Sequence, residues 1–234
     1  MVSKSGFSKI FVPAIFLLLS LPSSVFARYS GPMRFSVFLP CNGGISFGAP
    51  RILAEGRIEA DSAKKFARFL AEKNRHAYRL PSKPTVCFDS QGGELLGAID
   101  IGNTIRVNGF STCLESNYCR VKAGSSSHEN EIFLEDAVCA SACVFALAGG
   151  VKREIGENAM VGIHQFSGPH WDRRDDTTPL SIDAVSGYLE LMGIKGRLLS
   201  MASRYPPDRI HWLSASEISQ IGLRNDYRQV HNKR

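Results

Sequence analysis

Thr85-Val86-Cys87-Phe88-Asp89-Ser90-Gln91-Gly92-Gly93-Glu94-Leu95-Leu96 is the stretch on which the fold turns. Pro81 and Pro84 close whatever precedes it, and Thr85 to Phe88 is a compact β-branched and aromatic run that predicts a strand. The strand runs into a polar Gly-Gly turn at Asp89 to Gly93. Leu95, Leu96, Ile99 and Ile105 then predict a helix. Upstream, Arg51 to Ile58 predicts a strand ending in a turn. Asp61 or Ser62 can cap a helix through Lys64 to Glu72, with Phe66, Phe69 and Leu70 on one face at i, i+3, i+4. Strand, helix, strand, Gly-rich turn, helix is the order of βαβ units. It predicts an α/β fold with a mainly parallel sheet.

Working outward, residues 28–50 form an N-terminal extension with one strand-like run, Phe35 to Leu39. Residues 114–136 hold Gly124-Ser125-Ser126-Ser127 and several acids, and predict an inserted surface excursion. Order returns at Val138. Cys139 to Ala148 predicts a turn into an apolar helix that Gly149-Gly150 stops, and Met160 to Ile163 a strand that delivers His164. After a polar stretch at 167–178, a helix is expected from about Ser181 to Ser203, weakened by Gly187, Gly193 and Gly196. Ser214 or Ser216 opens a last helix that ends at Gly222. The main domain is thus read as 51–226, with a tail at 227–234.

Residues 1–27 predict a signal peptide. Lys4 and Lys9 give a basic start, Ile10 to Leu21 an apolar run, and Val25 and Ala27 a cleavage pattern after Ala27. An apolar helix of about 12 residues rises ~18 Å, short of the ~30 Å bilayer core. Export to the periplasm or outside the cell is therefore expected, with N-terminal membrane anchoring as the lesser alternative. The 234 residues less these 27 leave 207, enough for one domain with a sizeable core. The charge of +6, less the two leader lysines, becomes +4. The remaining bases are interleaved with acids, so no basic stripe argues for nucleic acid.

All six cysteines (Cys41, Cys87, Cys113, Cys119, Cys139, Cys143) lie beyond the leader. An even number in an oxidising compartment predicts disulfides, with buried free thiols as the alternative. Cys41 and Cys87, beside early strands, are candidates to bridge. Cys139 and Cys143 flank Ser141, and pairing with Cys113, Cys119 or each other would brace that turn. A reactive thiol there is the less economical reading. No CxxC or His-Cys clustering predicts a metal, and no cofactor is expected.

Acyl transfer needs a hydroxyl whose proton an imidazole can accept, and fixed N–H donors for the oxyanion. Gly92-Gly93 can expose N–H groups, Ser141 lies at a strand-to-helix junction, and His164 ends a strand. Each alone has a plain structural reading, as a turn, an N-cap and a strand-end histidine. Their order and context give them weight.

That order resembles the Clp protease/crotonase superfamily, and most of all small exported bacterial proteins with a ClpP-like domain. The matching pieces are Gly56-Arg57-Ile58-Glu59, Asp89-Ser90-Gln91-Gly92-Gly93, Ala140-Ser141-Ala142, Ile163-His164-Gln165 and Leu213-Ser214-Ala215-Ser216-Glu217 with Gly222-Leu223, across roughly residues 50–225. The resemblance implies a spiral of ββα units that assembles into rings or trimers. It implies Ser141 as nucleophile, His164 as general base, and the Gly93 and Ala142 N–H groups as oxyanion hole. It departs at the third triad member. Ile210 stands where that family has an aspartate, and Asp208 is a displaced candidate. No lysine, Lys152 and Lys195 included, sits in a motif that would replace the imidazole. Peptide or unfolded-chain substrates are implied, without the ATP-driven unfoldases of the cytosol. A catalytically weak or inactive binding module is the alternative function. Acyl-thioester chemistry is a third, disfavoured by the exported address. His170 and Trp171 are candidates to line a substrate groove, and Trp212 with Leu213 to anchor the last helix in the core.

Overall fold

A computed structural model describes residues 31–42, 45–46, 48–72, 79–115, 117–121, 130–134, 137–165 and 182–226. The leader, the His170–Trp171 stretch and the tail lie outside the described residues. In chain order the elements are β1 (Arg34–Asn42), β2 (Ile45–Ser46), β3 (Arg51–Glu55), α1 (Ser62–Ala71), β4 (Thr85–Asp89), α2 (Leu95–Val107), β5 (Ser111–Leu114), β6 (Asn117–Val121), β7 (Asn130–Leu134), β8 (Val138–Ala140), α3 (Cys143–Ala148), β9 (Arg153–Ile155), β10 (Met160–Ile163), α4 (Ile182–Leu191), α5 (Arg197–Ala202), β11 (His211–Trp212) and α6 (Ala215–Gln220).

The larger sheet runs β7-β6-β1-β3-β4-β5-β9, with β2 paired to β1. Strands β3, β4, β5 and β9 are mutually parallel. Ile52, Leu53 and Ala54 of β3 are all buried, as are Val86 to Asp89 of β4. Continuous rather than alternating burial is what a parallel sheet covered on both faces requires. The fold is therefore mixed α/β with a parallel centre. A second sheet, β11-β10-β8, sets β8 parallel to β10 and β11 antiparallel to β10. A parallel bridge between Ser90 and Cys139 ties the end of β4 to β8 and so joins the two sheets.

Helix α3 is buried at all six positions, so it is a central rod rather than an amphipathic surface helix. Helix α2 crosses it closely: a Cβ on Gly102 or on Gly149 would collide with backbone of the other helix. Glu94 caps α2 by accepting from the Leu96 and Gly97 N–H groups. Ser214 and Glu217 form a reciprocal capping box on α6. The Ser214 N–H, then the His211 imidazole and the Ser214 hydroxyl, hold the Glu217 carboxyl down to about 2.

Several expectations change. The run at Phe35 to Leu39 lies inside the nine-residue β1, which pairs with β3 and belongs to the main sheet. The described parts of 114–136 include β6 and β7, an antiparallel ladder that extends the sheet beyond β1. The expected 181–203 helix is two helices, because Gly193 takes φ +73° between them. Trp212 is 42% exposed, so Leu213 alone of that pair anchors the core. Cys87 is bonded to Cys113 on the adjacent strand, not to Cys41, because the β4–β5 register sets the two side by side.

Candidate active site

Parallel strands present their carboxyl ends at one edge, and the loops that leave that edge converge. Here the Gly92-Gly93 turn leaves β4, Ser141 leaves β8, and His164 leaves β10. The register sets Gly162 beside Ala140, so Ser141 and His164 emerge from neighbouring strand ends. The Ser141 N–H donates to the Gly162 carbonyl at 2.9 Å, which hooks the serine turn directly onto the histidine strand.

Ser141 takes φ +55°, and it alone of the described non-glycine residues has a positive φ. A left-handed backbone at a serine costs about 1 kcal/mol or more and persists only where its surroundings enforce it. One constraint is Gly92, φ +94°. A Cβ there would lie 2.5 Å from the Ala140 oxygen, 2.8 Å from the Ala142 nitrogen and 2.9 Å from the Ser141 Cβ. The two turns therefore touch backbone to backbone. Ser90, fully buried, locks this approach: its hydroxyl donates to the Gly56 carbonyl at 2.6 Å and accepts from the Gly92 N–H at 3.1 Å.

The Gly93 and Ala142 N–H groups donate to nothing among the described residues. Buried or half-buried backbone donors are nearly always paired, so a free pair beside a strained serine is a specific feature.

His164 is half-buried at the end of β10. Its Nδ1 lies 2.6 Å from the Gln165 carbonyl oxygen. A carbonyl only accepts, so the proton of the neutral ring sits on Nδ1 and Nε2 is left as an acceptor. Gln165 is itself held, its N–H donating to the Tyr205 carbonyl at 2.7 Å. Among the described residues, a main-chain oxygen thus occupies the role sought for a carboxylate. Asp208 is exposed and makes no bond to His164. The Ile210 side chain lies over Gly162, where its Cγ2 would meet a Cβ at 2.6 Å.

Ser141 and His164 line one cleft together with Val144, Phe145, Ile163, Leu198, Leu199 and Ala202. Its volume is about 10 Å³, room for roughly one water. A larger hollow, about 850 Å³, opens by Pro50, Pro84 and Phe110 at the opposite edge of the sheet. Its described lining includes Ser82 and Lys83 but no histidine and no carboxylate, so the imidazole beside a serine selects the small cleft. Among the described residues, Cys87, Cys113 and Glu115 are near enough together to hold a metal, but the two sulfurs are joined to each other.

Sequence reasoning missed the Gln165 carbonyl, the Ser90 hydroxyl and the α5 wall of the cleft. A backbone acceptor leaves no residue signature. Contacts across about 40 or 60 positions leave no periodicity.

Gly92→Ala is expected to slow any acylation of Ser141 by about 10²- to 10³-fold, the scale of losing an oxyanion donor. The new methyl must push the Ala140–Ala142 backbone away. Labelling kinetics beside far-ultraviolet circular dichroism would check this; an unchanged rate in folded protein contradicts it.

No protein-family model matches the chain, and no curated protein matches it. Among solved structures, a point mutant of ClpP1 from Listeria monocytogenes is 19% identical, with a TM-score of 0.40, covering 74% of this chain and 87% of its own. A point mutant of the 1510-N membrane-bound stomatin-specific protease is 14% identical, with a TM-score of 0.42, covering 72% and 73%. Both TM-scores are low, and the assignment below rests on the site's own geometry.

Proposed function

We propose that this protein is an exported serine hydrolase, a peptidase acting on short or unfolded chains through an acyl-enzyme on Ser141, and that its fold is the ClpP/crotonase-like spiral of ββα units. The observation that carries it is the shared cleft of Ser141 and His164; the Gly93 and Ala142 N–H groups, in the two turns that meet at Ser141, donate to nothing among the described residues. Ser141 Oγ attacks the substrate carbonyl carbon as its proton passes to His164 Nε2. The Gly93 and Ala142 N–H groups take the charge that builds on the carbonyl oxygen. Collapse breaks the carbonyl–nitrogen bond, and His164 returns the proton to the leaving amine. Water, deprotonated by the same Nε2, then releases the acid and restores Ser141.

The narrow cleft and the missing unfoldase limit substrates to chains that are already loose. Assembly into a homo-oligomer belongs to the same reading. The disulfides agree with an oxidising compartment, and no described helix is long and apolar enough to cross a membrane. Ile210, and the lack of a carboxylate on His164 among the described residues, favour one competing reading, a binding or assembly module that keeps the scaffold with weak or no catalysis.

A fluorophosphonate probe separates the two. On intact protein at neutral and mildly alkaline pH, peptide mapping should find the adduct on Ser141. No adduct, or an adduct elsewhere, would overturn the hydrolase and leave the binding module.

A further inference from the structure

Ser141 is the middle residue of a covalent ring. Cys139, on β8, and Cys143, the first residue of α3, are joined by a disulfide with their Cα atoms 5.3 Å apart. Only Ala140, Ser141 and Ala142 lie between them. This ring holds the left-handed φ of +55° and the Ala142 N–H that donates to nothing among the described residues.

Each wall of the ring is anchored. Cys139 bridges to Ser90, the residue whose hydroxyl locks the Gly-Gly turn, and the Ala140 N–H donates to the Ser90 carbonyl at 3.0 Å. The Ser141 N–H is tied to Gly162 on the histidine strand. On the other side, Val144 and Phe145 donate to the Ser141 and Ala142 carbonyls and begin a helix that is buried throughout. Without the sulfur–sulfur bond, a serine could escape its unfavourable conformation by rotating φ toward the ordinary helical or extended regions. Such rotation would redirect the Ser141 side chain and turn the following amide. With the bond, the ends of this short segment cannot separate to permit it.

We infer that the Cys139–Cys143 disulfide is a positioning clasp for the nucleophile, which makes hydrolysis conditional on oxidation of the chain. The inference rests on the reading of Ser141 as nucleophile. Neither cysteine is exposed at all, so the finished bond is shielded from exchange. It is therefore set during folding and is not a switch thrown in the folded protein. The two thiols lose two electrons and two protons as one sulfur–sulfur bond forms. A protein disulfide donor accepts both by thiol–disulfide exchange and leaves as a dithiol. A chain folded in a reducing compartment would carry every residue of the site without the clasp, and so stay idle.

The test compares wild type with Cys139→Ala/Cys143→Ala and with Cys139→Val/Cys143→Ala, which restores volume beside the sheet. Each is assayed well below its own thermal midpoint. Fluorophosphonate labelling rate and kcat for an activated ester should fall about 10- to 100-fold in both variants, with KM unchanged. A bond that only stabilises the fold would leave kcat per folded molecule as in wild type, and that result overturns the clasp.

A further readout needs no variant. Wild type folded under partial reduction is labelled, then mapped without reduction. Adducts should sit on molecules carrying the 139–143 bond. Equal labelling of molecules with both thiols free overturns the clasp, whether or not the variants fold. If oxidised wild type takes no label at all, the hydrolase reading fails first and the clasp falls with it.

Discussion

Ser141→Ala, His164→Ala and the double variant are expected to lose the same factor in kcat for an activated ester, about 10²-fold. The size follows from what the site has and lacks. In a complete triad the serine and histidine act as one unit, whose loss costs on the order of 10⁶-fold, while loss of the acid alone costs on the order of 10⁴-fold. His164 is held by the Gln165 carbonyl at 2.6 Å, a neutral acceptor in place of a carboxylate. With no carboxylate on His164 among the described residues, the site begins near the lower level, so about 10²-fold separates it from the residual rate of the oxyanion donors. Because proton transfer needs both partners, removing the second should add nothing. A double variant near 10⁴-fold would mean that the two side chains act independently, and the shared-cleft mechanism would be wrong. Steady-state rates of the three variants against wild type decide it.

The second large effect concerns the fold behind the site. Arg153 opens β9 with 3% of its surface exposed, and no carboxylate among the described residues answers its charge. Its partners are carbonyl oxygens. Nε donates to Leu223 at 2.7 Å, one terminal nitrogen to Gly150 and Met192 at 3.0 Å each, and the other to Gly222 at 2.9 Å. Ala148, which ends α3, is a longer contact at 3.4 Å, and Arg106 donates to the same oxygen at 3.3 Å. Burial, then the neighbouring Arg106, lowers the Arg153 guanidinium to about 10, so it stays cationic at neutral pH. Cations sit well among the free carbonyls at a helix C-terminus. One side chain thus gathers the end of the nucleophile's helix, the loop after α4 and the closing segment of the domain.

Arg153→Met would strand several buried carbonyls at about 1–3 kcal/mol each before relaxation or water entry. The expected loss is about 3–5 kcal/mol, the range for breaking a buried charged network. Urea unfolding with an unchanged slope measures it. Arg153→Lys should recover part of the loss, since a point charge reaches fewer oxygens than a planar fork. A Met variant within about 1 kcal/mol of wild type would show the network to be dispensable.

Residue order alone determined the α/β character, because β-branched runs, capped amphipathic segments and Gly-Gly turns are local signals. Most strand and helix positions around the site follow from them. Ser141 and His164 could be singled out because each ends or follows such an element. Pairing was not legible in the same way. That Phe35 to Leu39 belongs to a sheet strand beside β3, and that β6 and β7 extend that sheet, depends on hydrogen bonds between distant segments. The hydrophobic pattern of each segment alone does not specify them. Trp212 reads as core in sequence and lies half in solvent, because the strand end beneath it offers Gly162 and not a pocket.

The chain by itself singled out the hydroxyl, the imidazole and the Gly-Gly turn, and the resemblance to the Clp protease/crotonase superfamily added the two amides. Only the tertiary structure decided that parallel strand ends place Ser141 and His164 on one cleft and that a main-chain carbonyl orients the imidazole. It also decided that Cys139 closes on Cys143 around the serine. The reason is physical: backbone acceptors, strand register and a left-handed φ are properties of assembled geometry, and any of several side chains is compatible with each.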